Sequence, residues 1–504
     1  VLTTLRRSQA KTVDLCVLLT GAVSVCGFAP LGIWPLPVLA LAVLFWALRG
    51  VSPWRGLIRG FLFGLGLFGA GVSWVVESFQ YSHVALPSAV ILTTLMVLVL
   101  SLYPALFGWL TARFEERQAG FLLLGMPALW VLSEWARGTV LTGFSFLQLA
   151  YSQTDSPLSV FAPIAGVYGT GWVMALASAS LAWFADDARA RWKSAVVTFA
   201  AVAVLLLGVR AIPWTRAEPT EFDVAVVQAN IPQALKWRPE FRERTLEIYV
   251  SHTRRHWDAD FIIWPETALP GLRSRFSVFL DELDQESRRH GTELLIGVPT
   301  EVVVEGERSR YYNSVISVGG ADEVYNKRHL VPFGEYVPLQ AVFQPLIDLF
   351  KWPVSSFTHG DPKQTTLQVA GHTVGITICF ESAFGKDVMA ALPEAALLVN
   401  VSNDAWFGKS LGPHQHLQIA RWRALEAGRS MIRATNTGIT AFIDHDGRVV
   451  SGIEDFKEAS LRGTVQLRSG ATPYVRISDW PILVLALIAT LGAVVRAAGM
   501  SDLR

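Results

Sequence analysis

The sequence predicts a chain of two kinds of structure: a multi-span α-helical membrane domain with eight transmembrane helices, and an exported domain of alternating strands and helices. Three observations predict it. Hydrophobic residues make up 51% of the 504 and charged residues only 17%, against about a quarter charged in an ordinary soluble domain. Apolar runs of spanning length crowd the first 213 residues and recur once near the end. Between them lies a long, more polar stretch, 214–476, with a different pattern.

A spanning helix needs about 20 mostly apolar residues. Runs near 12–30, 34–49, 58–80, 86–112, 119–137, 157–185, 193–213 and 479–498 supply the candidates. The second is short and carries Pro35 and Pro37 near its start. The first is followed at once by further spans and is expected to stay in the membrane rather than be cleaved. Many of the 18 tryptophans lie beside these runs, as interfacial belts require.

Lys and Arg set the orientation. Arg6, Arg7 and Lys11 precede the first span, Arg49, Arg55 and Arg59 lie between the second and third, and Arg113 and Arg117 follow the fourth. Arg189, Arg191 and Lys193 separate the sixth from the seventh, and Arg496 and Arg504 end the chain. Loops 30–34 and 80–86 hold no Lys or Arg, and 137–156 holds only Arg137. Both termini are therefore expected in the cytoplasm. The expected domains are 1–213 with seven transmembrane helices, 214–476 on the exported side, and 477–504 with the eighth helix and a cytoplasmic C-terminus. Glu77 ends the third span, where it can reach water at headgroup level. Glu134 and Arg137, three apart, can pair on one helix face or serve a substrate; both readings stay open.

From Phe222 the pattern becomes β-rich: FDVAVVQANI, ADFIIWPE, ELLIGVP, YNSVISVGG, VGITICFE, AALLVNVSND, MIRATNTG and TAFIDHDGRVV read as strands. The stretches 239–257, 275–290 and 413–429 read as helices. Alternating elements over this length predict a layered α/β or α+β fold. Three segments end an apolar run on a reactive side chain, which places it at a sheet rim where such folds build their sites. Glu266 follows FIIWP, Lys327 lies in EVYNKRHLVPFGEYVP, and Cys379 ends GITIC. A nucleophilic thiol needs a base and a cation or amide donors for the oxyanion; a Glu, a Lys and a Cys supply that set. Taken singly, each is as ordinary as a cap, a solvated lysine or a core thiol.

Taken in order, WPE, NKRHLVPFGEYVP and a strand ending in CFE resemble the nitrilase superfamily. That resemblance implies an αββα sandwich and a Glu266–Lys327–Cys379 triad. VQANIPQALKW, VNVSNDAWFG, HQHLQIARWRALEAGRSMIRATNTG, TPYVRISD and, upstream, FAPLGIWPL and EWARGTVLTGFSFLQLAYSQ resemble the membrane branch of that superfamily, the apolipoprotein N-acyltransferases, over nearly the whole chain. This resemblance implies a ping-pong acyl transfer in the bacterial inner membrane with the catalytic domain in the periplasm. By the same resemblance the acyl donor would be a phospholipid, phosphatidylethanolamine by its sn-1 chain, and the acceptor the α-amine of a diacylglyceryl apolipoprotein. Glu266 would be the base and Lys327, aided by the Phe380 backbone amide, the oxyanion partner. Glu335 would orient Lys327, Glu381 would support the site, and Trp237 would contact substrate. Many members carry tyrosine where this chain has Phe380, so no hydroxyl is available there while the amide is unaffected.

Other chemistry is thinly represented. The chain has 43 basic and 42 acidic residues, so no charge signature of a nucleic-acid partner is present. Cys16, Cys26 and Cys379 make no disulfide framework. His414 and His416 have no third ligand at metal spacing beside them, and with Asp404 they read as structural, so neither cofactor nor metal is expected. Arg421, Arg423, Arg429 and Arg433 read as a solvated helix face with ion pairs, ahead of the alternative of a role near lipid phosphate. Two other functions compete: a membrane-anchored nitrilase-type amidase, and a transporter with an extracytoplasmic domain. An amidase needs one anchor at most. A transporter would show internal repeats among its spans, and none is evident.

Overall fold

A computed structural model describes residues 2–81, 84–114, 121–185, 200, 206–210, 212–304, 306, 309–341, 344–345 and 356–501. Its contacts divide the chain into two compact units: Val1–Val76, Ala89–Pro213 and Arg476–Arg504 in the first, Glu77–Ser88 and Trp214–Val475 in the second.

The first unit is helical. Helix Leu2–Ser24 ends in a 3₁₀ turn, and the short second run becomes Pro35–Leu48. Its prolines sit in the first turn, where a missing N–H costs nothing. Pro53–Gly71 starts on a Ser52 cap that accepts from the Arg55 amide at 3.4 Å. Gly56, Gly60 and Gly64 recur every fourth residue along it. A side chain at any of them would strike the backbone of helix Leu86–Phe114, at Gly108, Pro104 and Ser101. This is the small-residue packing by which membrane helices approach closely. A π-helical turn Phe121–Gly125 leads into Met126–Thr139, and Ala162–Phe184 and Trp480–Ser501 complete the longer elements.

Among the described residues three helical stretches are long and apolar enough to cross a membrane, Ala10–Gly27, Leu86–Phe114 and Pro157–Phe184. A fourth results if Pro53–Gly71 and Val75–Tyr81, bent by 50° at their break, count as one. Pro35–Leu48 and Trp480–Val495 are apolar but shorter, and most of the run expected at 193–213 lies outside the described residues. Glu134 and Arg137 do pair, at 3.8 Å and both buried. Glu134 also accepts from the Leu149 amide at 2.8 Å, and Arg137 donates to the carbonyls of Phe144 and Phe146 at 2.6 and 2.7 Å. The pair thus closes the loop after its own helix. Glu77 is exposed.

The second unit is a sandwich of two six-stranded sheets. The strands are β1 (Thr215–Gln228), β2 (Phe261–Ile263), β3 (Glu293–Val302), β4 (Arg310–Val318), β5 (Val324–Asn326), β6 (Thr366–Val369), β7 (His372–Ile378), β8 (Leu397–Ser402), β9 (Met431–Thr435), β10 (Thr440–Ile443), β11 (Val449–Ile453) and β12 (Ala459–Gly470). One sheet runs β12-β1-β2-β3-β4-β5 and the other β11-β10-β9-β8-β7-β6. Their centres, β1-β2-β3 and β7-β8-β9, are parallel, which explains the near-continuous apolar runs: both faces of such strands are covered. Val224, Val226, Ile263 and Leu295 of one sheet pack on Ile376, Ile378, Val399 and Ile432 of the other. On the outside, Ala225, Ile262 and Ile296 meet Ile248 and Tyr249 of helix Arg242–Thr253 and Leu280 and Leu283 of helix Ser277–His290. Opposite, Leu398, Met431 and Ala441 meet Ala420, Ala424 and Ala427 of helix Gly412–Ala427. The layers are therefore αββα.

The arginine run departs from expectation. Only Arg421 is half-buried; Arg423, Arg429 and Arg433 are fully buried. Arg423 pairs with Glu426 at 2.5 Å, Arg429 donates to the carbonyls of Ala395 and Gly470 at 2.9 and 2.6 Å, and Arg433 lies on β9 rather than on the helix. The helix is covered on most sides, so its arginines serve carbonyls and carboxylates instead of solvent.

Candidate active site

Parallel strands deliver their C-terminal ends to one rim, and the reactive side chains gather there. Glu266 follows β2 and the turn Trp264-Pro265, and Thr267 after it is left-handed (φ 51°). Cys379 follows β7 and opens a 3₁₀ turn, Cys379–Ala383, itself at φ 51°. A non-glycine residue there costs of order 1–2 kcal/mol, so the surroundings must impose it. Three donors or ring atoms reach the Cys379 carbonyl: Ser382 Oγ at 2.9 Å, His416 Nε2 at 3.2 Å and Asn400 Nδ2 at 3.4 Å.

Lys327 follows β5. Its amide donates to the Asn313 carbonyl and its carbonyl accepts from the Gly360 amide, each at 2.8 Å. Its ammonium lies 2.9 Å from Glu335 and 3.6 Å from Glu266 Oε1. Asn313 of β4 bridges the same two carboxylates, at 2.7 Å to Glu266 and 2.9 Å to Glu335. The second oxygen of Glu266 accepts from the Asn403 amide at 2.8 Å. Burial works against the Lys327 charge, but Glu335, Glu266 and Cys379 outweigh it and hold the pKa well above the usual lysine range. Burial pushes the Cys379 thiol up, the Glu266 charge adds to this, and Lys327 opposes it. Burial and the Glu266 charge thus disfavour the thiolate, and attack on an acyl carbon calls for a base to take the thiol proton.

Glu381 is buried and fully engaged. One oxygen accepts from the Arg328 and His329 amides at 2.6 and 3.0 Å, the other from the Ile378 amide and the Tyr325 hydroxyl at 2.7 and 2.8 Å. It ties the lysine loop to the cysteine turn and fixes their spacing. The Phe380 ring packs edge-on against Phe384 and His329. Trp237 is over half exposed and, among the described residues, stands outside this hydrogen-bonded cluster.

Beneath Cys379 lies a layer that spacing alone did not reveal. Arg433 Nη2 donates to Asp404 Oδ2 at 2.6 Å, His416 Nδ1 lies 2.9 Å from Asp404 Oδ1, and Ser402 donates to the same oxygen at 2.7 Å. Burial opposes the Asp404 charge, but Arg433 and His416 overcome it and keep its pKa below the usual carboxylate range. Ligand atoms of Cys379, Asp404 and His416 lie within 4.8 Å of one another, so the third partner missing near His416 comes from the turn after β7. Their donors and acceptors already serve one another, and the Arg433 cation occupies the charge position a metal ion would need. The group reads as a brace under the nucleophile. Asn403 and Asp404 end the apolar run of β8, so the rule that marked Glu266 and Cys379 marks them as well. Asn313 and Arg433 lie inside strands and carried no such signal.

The sequence profile described as "Apolipoprotein N-acyltransferase N-terminal domain" matches residues 20–180, and "Carbon-nitrogen hydrolase" matches 223–472. Apolipoprotein N-acyltransferases from Methylococcus capsulatus, Nitrosomonas europaea and Photobacterium profundum are 44%, 42% and 39% identical to the chain. Those matches cover 91%, 94% and 93% of it and 91%, 94% and 92% of the relatives. Among solved structures, an amidase from Nesterenkonia sp. aligns at 16% identity with a TM-score of 0.36, over 54% of this chain and 96% of its own. The relatives match through the helical unit as well as the sandwich, which a singly anchored amidase would not. The chain belongs to the apolipoprotein N-acyltransferases.

Proposed function

We propose that this acyltransferase works through Cys379, with Glu266 as the base and Lys327 as the oxyanion partner. The Cys379 thiol gives its proton to Glu266 as sulfur attacks the ester carbonyl of a phospholipid, phosphatidylethanolamine. The tetrahedral oxyanion forms beside the Lys327 ammonium. It collapses by breaking the acyl C–O bond, and the departing glycerol oxygen takes the proton from Glu266, leaving lysophospholipid and a thioester. The α-amine of a diacylglyceryl apolipoprotein then attacks the thioester. Glu266 takes the amine proton and returns it to the sulfur as the C–S bond breaks, leaving the amide. Eight membrane spans, an inner-membrane location and a periplasmic catalytic domain belong to the same reading, as does Trp237 as a substrate contact.

The observation that supports it is the gathering of Glu266, Lys327 and Cys379 in one cluster, the first two buried and the thiol partly buried, with Lys327 3.6 Å from Glu266 and both charges acting on Cys379. Intact-mass analysis after incubation with phosphatidylethanolamine is the test. One acyl chain should appear on the parent enzyme and disappear on adding a diacylglyceryl peptide. Cys379→Ser should take none, because an alkoxide is far harder to form than a thiolate. Equal release of free fatty acid with and without the peptide would instead make the protein a hydrolase.

A further inference from the structure

We propose that Lys236 is a second functional lysine of this site, a positioning residue that holds Glu266 and balances the charge around Cys379. The inference rests on the reading of Glu266 and Cys379 as base and nucleophile. Lys236 ends the short helix Gln233–Lys236, is 3% exposed, and donates from Nζ to the backbone carbonyl of Glu266 at 3.2 Å. Gln233 of the same turn accepts from the Asn403 side chain at 3.0 Å, and the Asn403 amide holds Glu266 Oε2 at 2.8 Å. One helical turn thus fixes both ends of Glu266, the carbonyl directly and the carboxylate through Asn403. Trp237 follows at once, so the exposed aromatic and the buried base share a support.

The charge count gives the second argument. Around Cys379 the described charged groups are Glu266 after β2, Lys327 and Glu335 after β5, Asp404 with Arg433 and His416 behind the sulfur, and Glu381 of the cysteine turn with Arg328, joined through the Tyr325 hydroxyl. Arg433 neutralises Asp404, Arg328 opposes Glu381, and Lys327 faces two carboxylates, which leaves one negative charge in excess before the thiol ionises. Lys236 cancels it. A buried ammonium bonded to a neutral carbonyl is a poor stabilising device, since desolvation is costly without a partner charge. Its electrostatic partners are Glu266 and Cys379; burial nevertheless lowers its pKa to about 8, against the pull of both. Lysine rather than arginine here makes the second charge removable near the working pH range.

The test is the pH dependence of acyl-enzyme formation in a single turnover, on the full-length enzyme with phosphatidylethanolamine, alongside thermal melting. In the parent the rate should fall above about pH 8 as Lys236 loses its proton. Lys236→Met removes a cation that favours both the carboxylate and the thiolate. It should slow acylation about 10²-fold and move the acidic limb upward by about one pH unit. Lys236→Arg keeps the charge; it should leave the acidic limb in place and abolish the alkaline fall. A Lys236→Met enzyme with the parent profile overturns the proposal. So does one slowed equally at every pH in step with a lower melting temperature, which is the behaviour of a packing residue. A parent enzyme that never acylates at Cys379 would overturn the underlying assignment instead.

Discussion

Lys327 sits between Glu335 at 2.9 Å and Glu266 at 3.6 Å, almost wholly buried, so its charge does two separable things. It neutralises carboxylates in the ground state, and on the proposed mechanism it would face the oxyanion in the transition state. Removing it as Lys327→Met leaves buried Glu266 and partly buried Glu335 without the ammonium that pairs with both, Lys236 remaining only beside Glu266, a change that costs about 3–5 kcal/mol; the melting temperature should fall. Adding Glu335→Gln removes one of those charges and should recover much of the stability. Acylation of Cys379 should stay down by about 10²–10³-fold in both variants, because no neutral group at Glu335 replaces an electrostatic donor. Acylation that returned together with stability would show Lys327 to be structural. Residues of this kind are partly legible in sequence. Glu266, Lys327 and Cys379 stand where apolar runs stop, and the flanking WPE, NKRHLVPFGEYVP and CFE mark them. Lys236 and Asn313 carry no such mark, since their roles are bonds to groups 30 and 47 residues away.

Elements were read best where burial is two-sided. The apolar cores of β1, β3, β4, β7, β8 and β9 and the helices Arg242–Thr253, Ser277–His290 and Gly412–Ala427 fall where the pattern put them. β5 and β6 are only three and four residues long, too short for a period to register. β12 is an edge strand with only Val465 and Leu467 buried, so its sequence ASLRGTVQLRSG shows little alternation. One element detail bears directly on the site. Gly297 of β3 lies against the turn that carries Glu266: a Cβ there would meet the Pro265 carbonyl, and would stand 2.7 Å from both Glu266 Cα and Thr267 N. Backbone cannot yield as a flexible side chain can, so Gly297→Ala should displace Glu266 from the cluster. The expectation is a loss of about 10²-fold in acylation with the Cys379 turn still formed. Parent-rate acylation by Gly297→Ala would mean that the Glu266 turn has slack and that its position is not critical.

For the whole molecule the open quantity is the number of crossings, and the weakest element is the second. Pro35–Leu48 has 14 residues, about 21 Å of helix, against the roughly 30 Å of a bilayer core. If it failed to cross, the loop holding Arg49, Arg55 and Arg59 would lie on the exported side, against the distribution of positive charge. Side-chain pairing inside the helical unit argues that it does cross. Asp14, which follows Arg6, Arg7 and Lys11 in the sequence, bonds Arg55 at 2.6 Å and Arg59 at 3.1 Å, and Arg59 also donates to the Ala47 carbonyl at the end of Pro35–Leu48. The first turns of the apolar stretch Ala10–Gly27, the end of the second helix and the start of the third therefore share one end of the unit, and the basic N-terminal residues predict the cytoplasmic side for that end. The loop around Arg189 and Arg191 lies outside the described residues; from its sequence charge the same side is predicted. Reporter fusions after Arg59 and after Arg191 should read cytoplasmic, and one after Thr220 periplasmic. A periplasmic reading at Arg59 would remove the second crossing and invert every later one. A cytoplasmic reading at Thr220 alone would remove the seventh and leave the sandwich on the wrong side of the membrane for an exported acceptor.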